Sequence, residues 1–243
     1  MIVDLHTHTI ASGHGTRDTI ADMAKAAAAR GMAVLGITDH GPATCGAASA
    51  SYFMNLGSAP RERCGVAVLY GAEVSILEGG ALDLPDSVLA RLDYVIASMH
   101  MPPRRRSRGS LTSGTAESNT ADYLKAMENP FVRVIGHCDN SQFPADYERI
   151  VSAAAKNGVI MEINNASLIP GGWHQIPGIS NEDNYRRLLA LCREQRVKIL
   201  ISSDSHGNRH IGEAPLAEAL VRELQYPEEL IVNRHPEMVL NGA

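Results

Sequence analysis

Short apolar runs alternate along the chain with amphipathic stretches. The apolar runs predict strands over Ile2–His6, Ala33–Thr38, Val66–Val74, Tyr94–Ser98, Val132–Gly136, Val159–Asn164 and Lys198–Ser203. Most are flanked by Gly, Asp or Asn, as expected of strands buried on both faces of a parallel sheet. Between them, helical spacing covers Thr16–Arg30, stopped by Gly31, and Asp146–Asn157, stopped by Gly158. A third helix is expected over Asn181–Gln195, opened by an Asn cap, with Tyr185, Leu188, Leu189 and Cys192 on one stripe. Two stretches leave the alternation. Pro42–Arg63 is rich in Ala, Ser and Gly, and Pro102–Ser118 holds Arg104, Arg105, Arg106 and Arg108; both read as long surface loops after strand ends.

Repeated strand–helix units predict a parallel sheet with right-handed crossovers. Seven such units favour a closed α/β barrel over an open sheet. No internal repeat or linker divides the 243 residues, so residues 1–243 read as a single domain.

Composition narrows the function classes. A net charge of −5 argues against a general nucleic-acid or membrane-surface binder. No apolar run approaches the roughly 20 residues of a membrane span, and Asp4 and His6 interrupt any secretory signal. The four cysteines are widely spaced without a C-x-x-C pair, which fits a reducing cytoplasm. The chain carries ten histidines against three Phe and one Trp, and their positions are what matter.

The predicted strands run into Asp4-Leu5-His6-Thr7-His8, Thr38-Asp39-His40, Gly71-Ala72-Glu73, Ser98-Met99-His100, Gly136-His137-Cys138-Asp139-Asn140, Glu162-Ile163-Asn164-Asn165 and Ser203-Asp204-Ser205-His206. Every strand thus ends near a metal-ligating or hydrogen-bonding group, on the face where βα barrels build active sites. Any one of these residues alone reads as a satisfied turn or cap. Together they point elsewhere. His6 and His8 share one face of an extended strand, and Asp204 and His206 repeat that geometry on the last strand. Burying so many imidazoles and carboxylates costs several kcal/mol per ion unless metal ions neutralise them. Imidazole with carboxylate and no thiolate suits Zn, Fe or Mn. The candidates exceed what one ion can use, so at least two ions are expected, an arrangement suited to hydrolysis of phosphate esters or amides.

The order H-x-H, then His14, T-D-H, an isolated Glu, S-x-H, G-H and S-D-S-H resembles the PHP (polymerase and histidinol phosphatase) superfamily. The match runs from Asp4 to His206 and is best to its small stand-alone phosphoesterases. The resemblance implies a distorted TIM-like (βα)7 barrel and three divalent transition-metal ions, zinc before iron or manganese. It implies His6, His8, Glu73 and Asp204 on a first ion, Glu73 with His100 and His137 on a second, and His14, His40 and His206 on a third. Glu73, Asp204 and His206 would be the catalytic set, with a metal-bound hydroxide attacking a small phosphate ester in line. Arg104, Arg105, Arg106 and Asn164 are expected to contact the phosphate, with Asn164 equally suited to holding a strand end. Asp4, Asp39 and Glu162 read as partners orienting ligand imidazoles, and His174, His210 and His235 as solvated. Cys138-Asp139 and the arginine run depart from the pattern and leave the substrate open. A phosphomonoesterase comes first. The alternatives are a histidinol-phosphate phosphatase, a nucleotide or oligonucleotide phosphodiesterase, and a non-catalytic metal-binding regulatory module. No stacking series or basic surface favours nucleic acid, and self-association is left open.

Overall fold

A computed structural model of the chain describes residues 1–100, 113–172, 175–235 and 237–240. Its strands are β1 (Val3–Asp4), β2 (Thr7–His8), β3 (Val34–Ile37), β4 (Glu62–Arg63), β5 (Val66–Tyr70), β6 (Ala72–Ser75), β7 (Val95–Ser98), β8 (Val132–Ile135), β9 (Ile160–Asn164), β10 (Ile199–Ser202) and β11 (Ser205–His206). Its helices are α1 (Ile20–Ala29), α2 (Ala50–Leu56), α3 (Asp86–Leu89), α4 (Ala116–Ala126), α5 (Tyr147–Asn157), α6 (Asn165–Leu168), α7 (Asn181–Glu194), α8 (Pro215–Glu223) and α9 (Glu237–Leu240). No helix among the described residues is long and apolar enough to cross a membrane.

The strands follow one another round an interrupted ring. β1, β3 and β5 pair in parallel, β6 through β10 form a second parallel run, and β11 pairs in parallel with β2. This is the predicted α/β, TIM-like arrangement of seven strand positions. Its distortion has an identifiable cause. The run Val66–Val74, expected as one strand, divides at Gly71: β5 pairs with β3, whereas β6 pairs with β7. A Cβ at Gly71 would lie 2.7 Å from the Tyr94 carbonyl oxygen, so only glycine lets the chain step across there. A parallel bridge between His40 and Glu73 spans the break.

The ring closes through a side chain. β10 and β1 share no ladder; instead Asn233, in a 3-10 turn near the C-terminus, stands between them. Its Oδ1 accepts from Ile201 N at 2.7 Å, and its Nδ2 donates to the Ile201 and Val3 carbonyls at 2.7 and 3.1 Å. Asp4 adds a second tie, accepting from Ser203 N, Ser203 Oγ and Gly212 N.

Several boundaries differ from expectation. The helix expected from Thr16 begins at Ile20, because Thr19 and Asp22 form a reciprocal capping box. Ser180, not Asn181, caps α7, and Asn181 is buried. The stretch Pro42–Arg63 contains α2 and β4. The end of Pro102–Ser118 belongs to α4, opened by Thr115. Arg104, Arg105, Arg106 and Arg108 lie outside the described residues.

Val3, Leu5, Ile96, Val134, Ile160 and Leu200 belong to one buried cluster contributed by successive strands. Two residues further along three of those strands, on the same face, come Ser98, Glu162 and Ser202, all wholly buried. The apolar layer thus forms the floor beneath a polar one.

Candidate metal centre

Glu73 on β6 is wholly buried, and five imidazoles converge on it. Its Oε1 lies 3.1 Å from His100 Nε2 and 2.9 Å from His137 Nε2. Its Oε2 lies 3.3 Å from His6 Nε2, 3.5 Å from His8 Nε2 and 2.7 Å from His40 Nδ1. Burial alone would raise the pKa of this carboxyl, but the surrounding imidazoles hold it well below the usual range. Asp204 approaches from beyond β10, 3.1 Å from His8 Nε2 and 3.7 Å from His6 Nε2, and is likewise kept ionised against its burial.

In five of the clustered rings the Nδ1 nitrogen is already committed. His6 Nδ1 donates to Glu162 Oε1 at 2.5 Å, His14 Nδ1 to the Ser12 carbonyl at 3.2 Å, and His206 Nδ1 to the Asp204 carbonyl at 3.2 Å. His8 Nδ1 meets Ser12 Oγ at 2.9 Å and His100 Nδ1 meets Ser75 Oγ at 3.0 Å. An acceptor at Nδ1 fixes the proton there and leaves the Nε2 lone pair facing the centre.

Several of the inward atoms find no hydrogen-bond partner among the described residues. His6 Nε2, His8 Nε2, His40 Nδ1, His206 Nε2, Glu73 Oε2 and Asp204 Oδ1 are buried without a well-formed hydrogen bond. Buried polar atoms normally find partners, so a convergent set of orphans calls for an explanation. Electrostatics divide the rings. Burial pulls His40 down to about 4 and His8 well below its usual value, so both are neutral at pH 7. Burial also opposes charge on His6 and His137, yet neighbouring carboxylates win, raising His6 well above its usual value and His137 to about 9. Neutral rings with inward lone pairs, ionised carboxylates and outer hydrogen bonds to carboxylate, carbonyl and hydroxyl are the donor chemistry of a divalent transition-metal site. The residues fit such ions.

Three groups have ligand atoms within 4.8 Å of one another: His6, His8 and Glu73; His40, Glu73 and His100; His8, His40 and His206. The last of these groups includes His8, and His14 stands next to its other two members, His40 and His206. His14 is exposed, its ring stacked 5.0 Å from that of His40 and tilted against that of His206 at 4.9 Å. All nine expected ligands therefore gather at one end of the ring, with His14 at its rim. Two of them are strained: His137 and Asp204 have φ of 21° and 52°.

Asn164 is wholly buried behind Asp204, with its amide bonded on both sides. His210 is exposed beside Glu213, and His235 lies near Glu237, away from the cluster; His174 lies outside the described residues. The sequence reading missed Ser12, Ser75 and Ser202. Period two along β6, which puts Ser75 on the face of Glu73, would have found one of them.

An α/β barrel with imidazoles and carboxylates gathered at its strand ends around one buried glutamate defines the class. The chain belongs to the PHP domain family, whose model matches residues 4–166. A probable phosphatase of Clostridium botulinum is 37% identical over 240 residues, which cover 98% of this chain and 93% of that protein. Among solved structures, the HisK protein of Listeria monocytogenes matches with a TM-score of 0.63 at 18% identity, covering 87% of this chain and 97% of that one. The histidinol phosphate phosphatase of Lactococcus lactis, complexed with zinc, L-histidinol and phosphate, matches with a TM-score of 0.61 at 15% identity, covering 93% and 94%. At these identities the two structures establish the fold.

Proposed function

We propose that the chain is a metal-dependent phosphomonoesterase acting on a small phosphorylated metabolite, with residues 1–243 forming one catalytic domain. One observation carries this: five imidazole nitrogens within 3.5 Å of a single buried carboxylate. Neutral rings would set lone pair against lone pair, and protonated rings would crowd positive charges into a dry site. Cations between the ligands remove both difficulties. The allotment is His6, His8, Glu73 and Asp204 to one ion, Glu73, His100 and His137 to a second, and His14, His40 and His206 to a third, with zinc as the metal. When bound, such ions supply Lewis-acid polarisation of phosphoryl oxygens and acidify water.

The protein's own residues do the rest. Glu73 and Asp204 cancel part of the cationic charge and leave a surplus that favours a phosphate dianion. The apolar floor keeps bulk water out from beneath. The open side is set by exposure: the His100 and His206 side chains are 19% and 25% exposed, whereas those of His6, His8 and Glu73 are at most 1%. A phosphate approaches there, and Arg104, Arg105, Arg106 and Arg108, a few residues beyond His100, are assigned to its non-reacting oxygens. Asn164 is assigned to Asp204 rather than to phosphate. All four cysteines are free, which fits a reducing cytoplasm.

The test is phosphate release from a panel of phosphorylated metabolites by metal-replete and by chelated protein. The panel includes L-histidinol phosphate, nucleotides and a phosphodiester. Monoester hydrolysis that chelation abolishes supports the proposal. Turnover of diesters alone, or none by fully loaded protein, overturns it.

A further inference from the structure

Among the wholly buried carboxylates outside the inward-facing set, Asp39 and Glu162 each gather a circle of donors that includes ligand residues or their partners. Asp39 Oδ1 accepts from Thr9 N at 2.6 Å and Ser12 Oγ at 2.7 Å; Oδ2 accepts from Thr9 Oγ1 at 2.8 Å and Tyr52 OH at 2.6 Å. With its hydrogen given to Asp39, Ser12 Oγ accepts from His8 Nδ1 at 2.9 Å and from the backbone N–H of His40 at 3.1 Å. The Ser12 carbonyl takes the Nδ1–H of His14. One carboxylate, acting through one serine, therefore reaches three imidazole-bearing residues.

Glu162 serves others. Its Oε1 accepts from His6 Nδ1 and Ser202 Oγ, both at 2.5 Å, and its Oε2 from the His137 backbone N–H at 2.7 Å and Asn164 Nδ2 at 3.3 Å. Asn164 Nδ2 then reaches Asp204 Oδ2 at 3.0 Å. The ligand residues held by the two carboxylates do not overlap.

We propose that Asp39 and Ser12 are positioning residues for one ion of the centre, that of His14, His40 and His206, while Glu162 and Asn164 position the ligands of the other two. The inference rests on the three-ion allotment above. Removing the Ser12 hydroxyl frees His8 to turn, and it unpins His40. The third ion then loses the support of His40, with His14 held through the same residue's carbonyl. The first ion loses the support of one ligand in four. Its effect should therefore fall chiefly on one ion. A lost outer partner weakens metal binding by about 10- to 100-fold.

The experiment titrates Co2+ and Zn2+ into the metal-free full-length protein, following Co2+ absorption bands and bound metal by elemental analysis. For Ser12→Ala, two ions are expected to bind as in the wild type and one about 10- to 100-fold more weakly. Tyr52→Phe keeps the ring packing and removes one donor from Asp39, so it weakens the same ion by less. It carries the test should Ser12→Ala fail to fold. Glu162→Gln is expected to reverse the pattern. Equal weakening of all ions, or none, in Ser12→Ala or Tyr52→Phe overturns the division of labour. Fewer than three ions in the wild type overturns the allotment itself, and that failure shows before any variant is made.

Discussion

Asn164 tethers Asp204: its Nδ2 lies 3.0 Å from Asp204 Oδ2, while its Oδ1 accepts from the backbone N–H groups of Ala166 and Ser167 at the start of α6. The amide cannot flip without setting its NH2 against two donors and its oxygen against two carboxylates. The tether has work to do, because Asp204 is held at a φ of 52°, a conformation that costs roughly 1–2 kcal/mol for a residue with a side chain. Asn164→Asp would place a third carboxylate beside Glu162 and Asp204. The expected outcome is lower metal content and lower kcat with KM nearly unchanged, read by elemental analysis beside steady-state kinetics. An Asn164 bound to phosphate would give the opposite result, a raised KM with metal intact.

Glu73→Gln tests the hub. The substitution keeps the shape but removes the charge and replaces a ligand oxygen with an NH2, which cannot hold a metal ion. Because Glu73 is allotted to two ions, the variant should lose two of three, and its activity should fall well beyond the roughly 10- to 100-fold typical of outer partners. His235→Ala, outside the cluster, should leave turnover unchanged. A Glu73→Gln protein with normal metal content and turnover would show the constellation to be misassigned.

What the sequence made legible was the gathering of the candidate ligands, because each falls in a short motif at a strand end and strand ends share one face of a barrel. His6 and His8, or Asp204 and His206, need only the period of two. The supports were harder, because they are long-range: Ser12 reaches Asp39 across 27 residues, and Asn233 reaches Val3 across 230. No local pattern marks such pairs. The strand break at Gly71 was hidden for another reason. The stretch Val66–Val74 carries strand-forming residues on both sides of Gly71, and only the close approach of the Tyr94 carbonyl reveals why the chain must step there. In Pro42–Arg63, the small-residue composition masked α2, whose buried Phe53 and Leu56 decide its packing.

The charged imidazoles give a pH signature. In the metal-free protein the carboxylates beside His137 hold its pKa at about 9, against an ordinary 6.5. A raised folded-state pKa stabilises the fold fully below 6.5, and that contribution is lost as pH rises through 9. Metal binding runs the other way, since His137 must release its proton to become a ligand, and affinity should rise about tenfold per pH unit from 7 toward 9. His40, held at about 4, has no proton to release in that range. Between pH 6.5 and 9 the Tm of metal-free protein should therefore fall while ion affinity climbs. Calorimetric titrations in buffers of different ionisation heat should show proton release on binding. Metal affinity independent of pH over this range would mean that His137 is not a ligand.

Asn233 makes the last prediction, because it joins the strands that lead into His6 and into Asp204. Where β10 and β1 share no ladder, its side chain supplies the three hydrogen bonds that backbone pairing would otherwise make, to Ile201 N, Ile201 O and Val3 O. Asn233→Ala leaves these buried groups unpaired, at about 1–3 kcal/mol for each one that water cannot reach. A total loss of about 2–4 kcal/mol is expected, since some relaxation will follow. Asn233→Asp keeps an acceptor for Ile201 N but turns an anionic oxygen toward two carbonyls. It should be at least as damaging at neutral pH and partly recover in acid, where the protonated carboxyl can donate again. Ions held by ligand candidates from both sides of the seam would bind only the folded ring, so the loss in Tm should be smaller in metal-loaded than in metal-free protein. Thermal unfolding of the two variants with and without metal reads all three effects. An Asn233→Ala protein as stable as the wild type would mean that the Asp4 tie and the pairing of β2 with β11 suffice to close the ring.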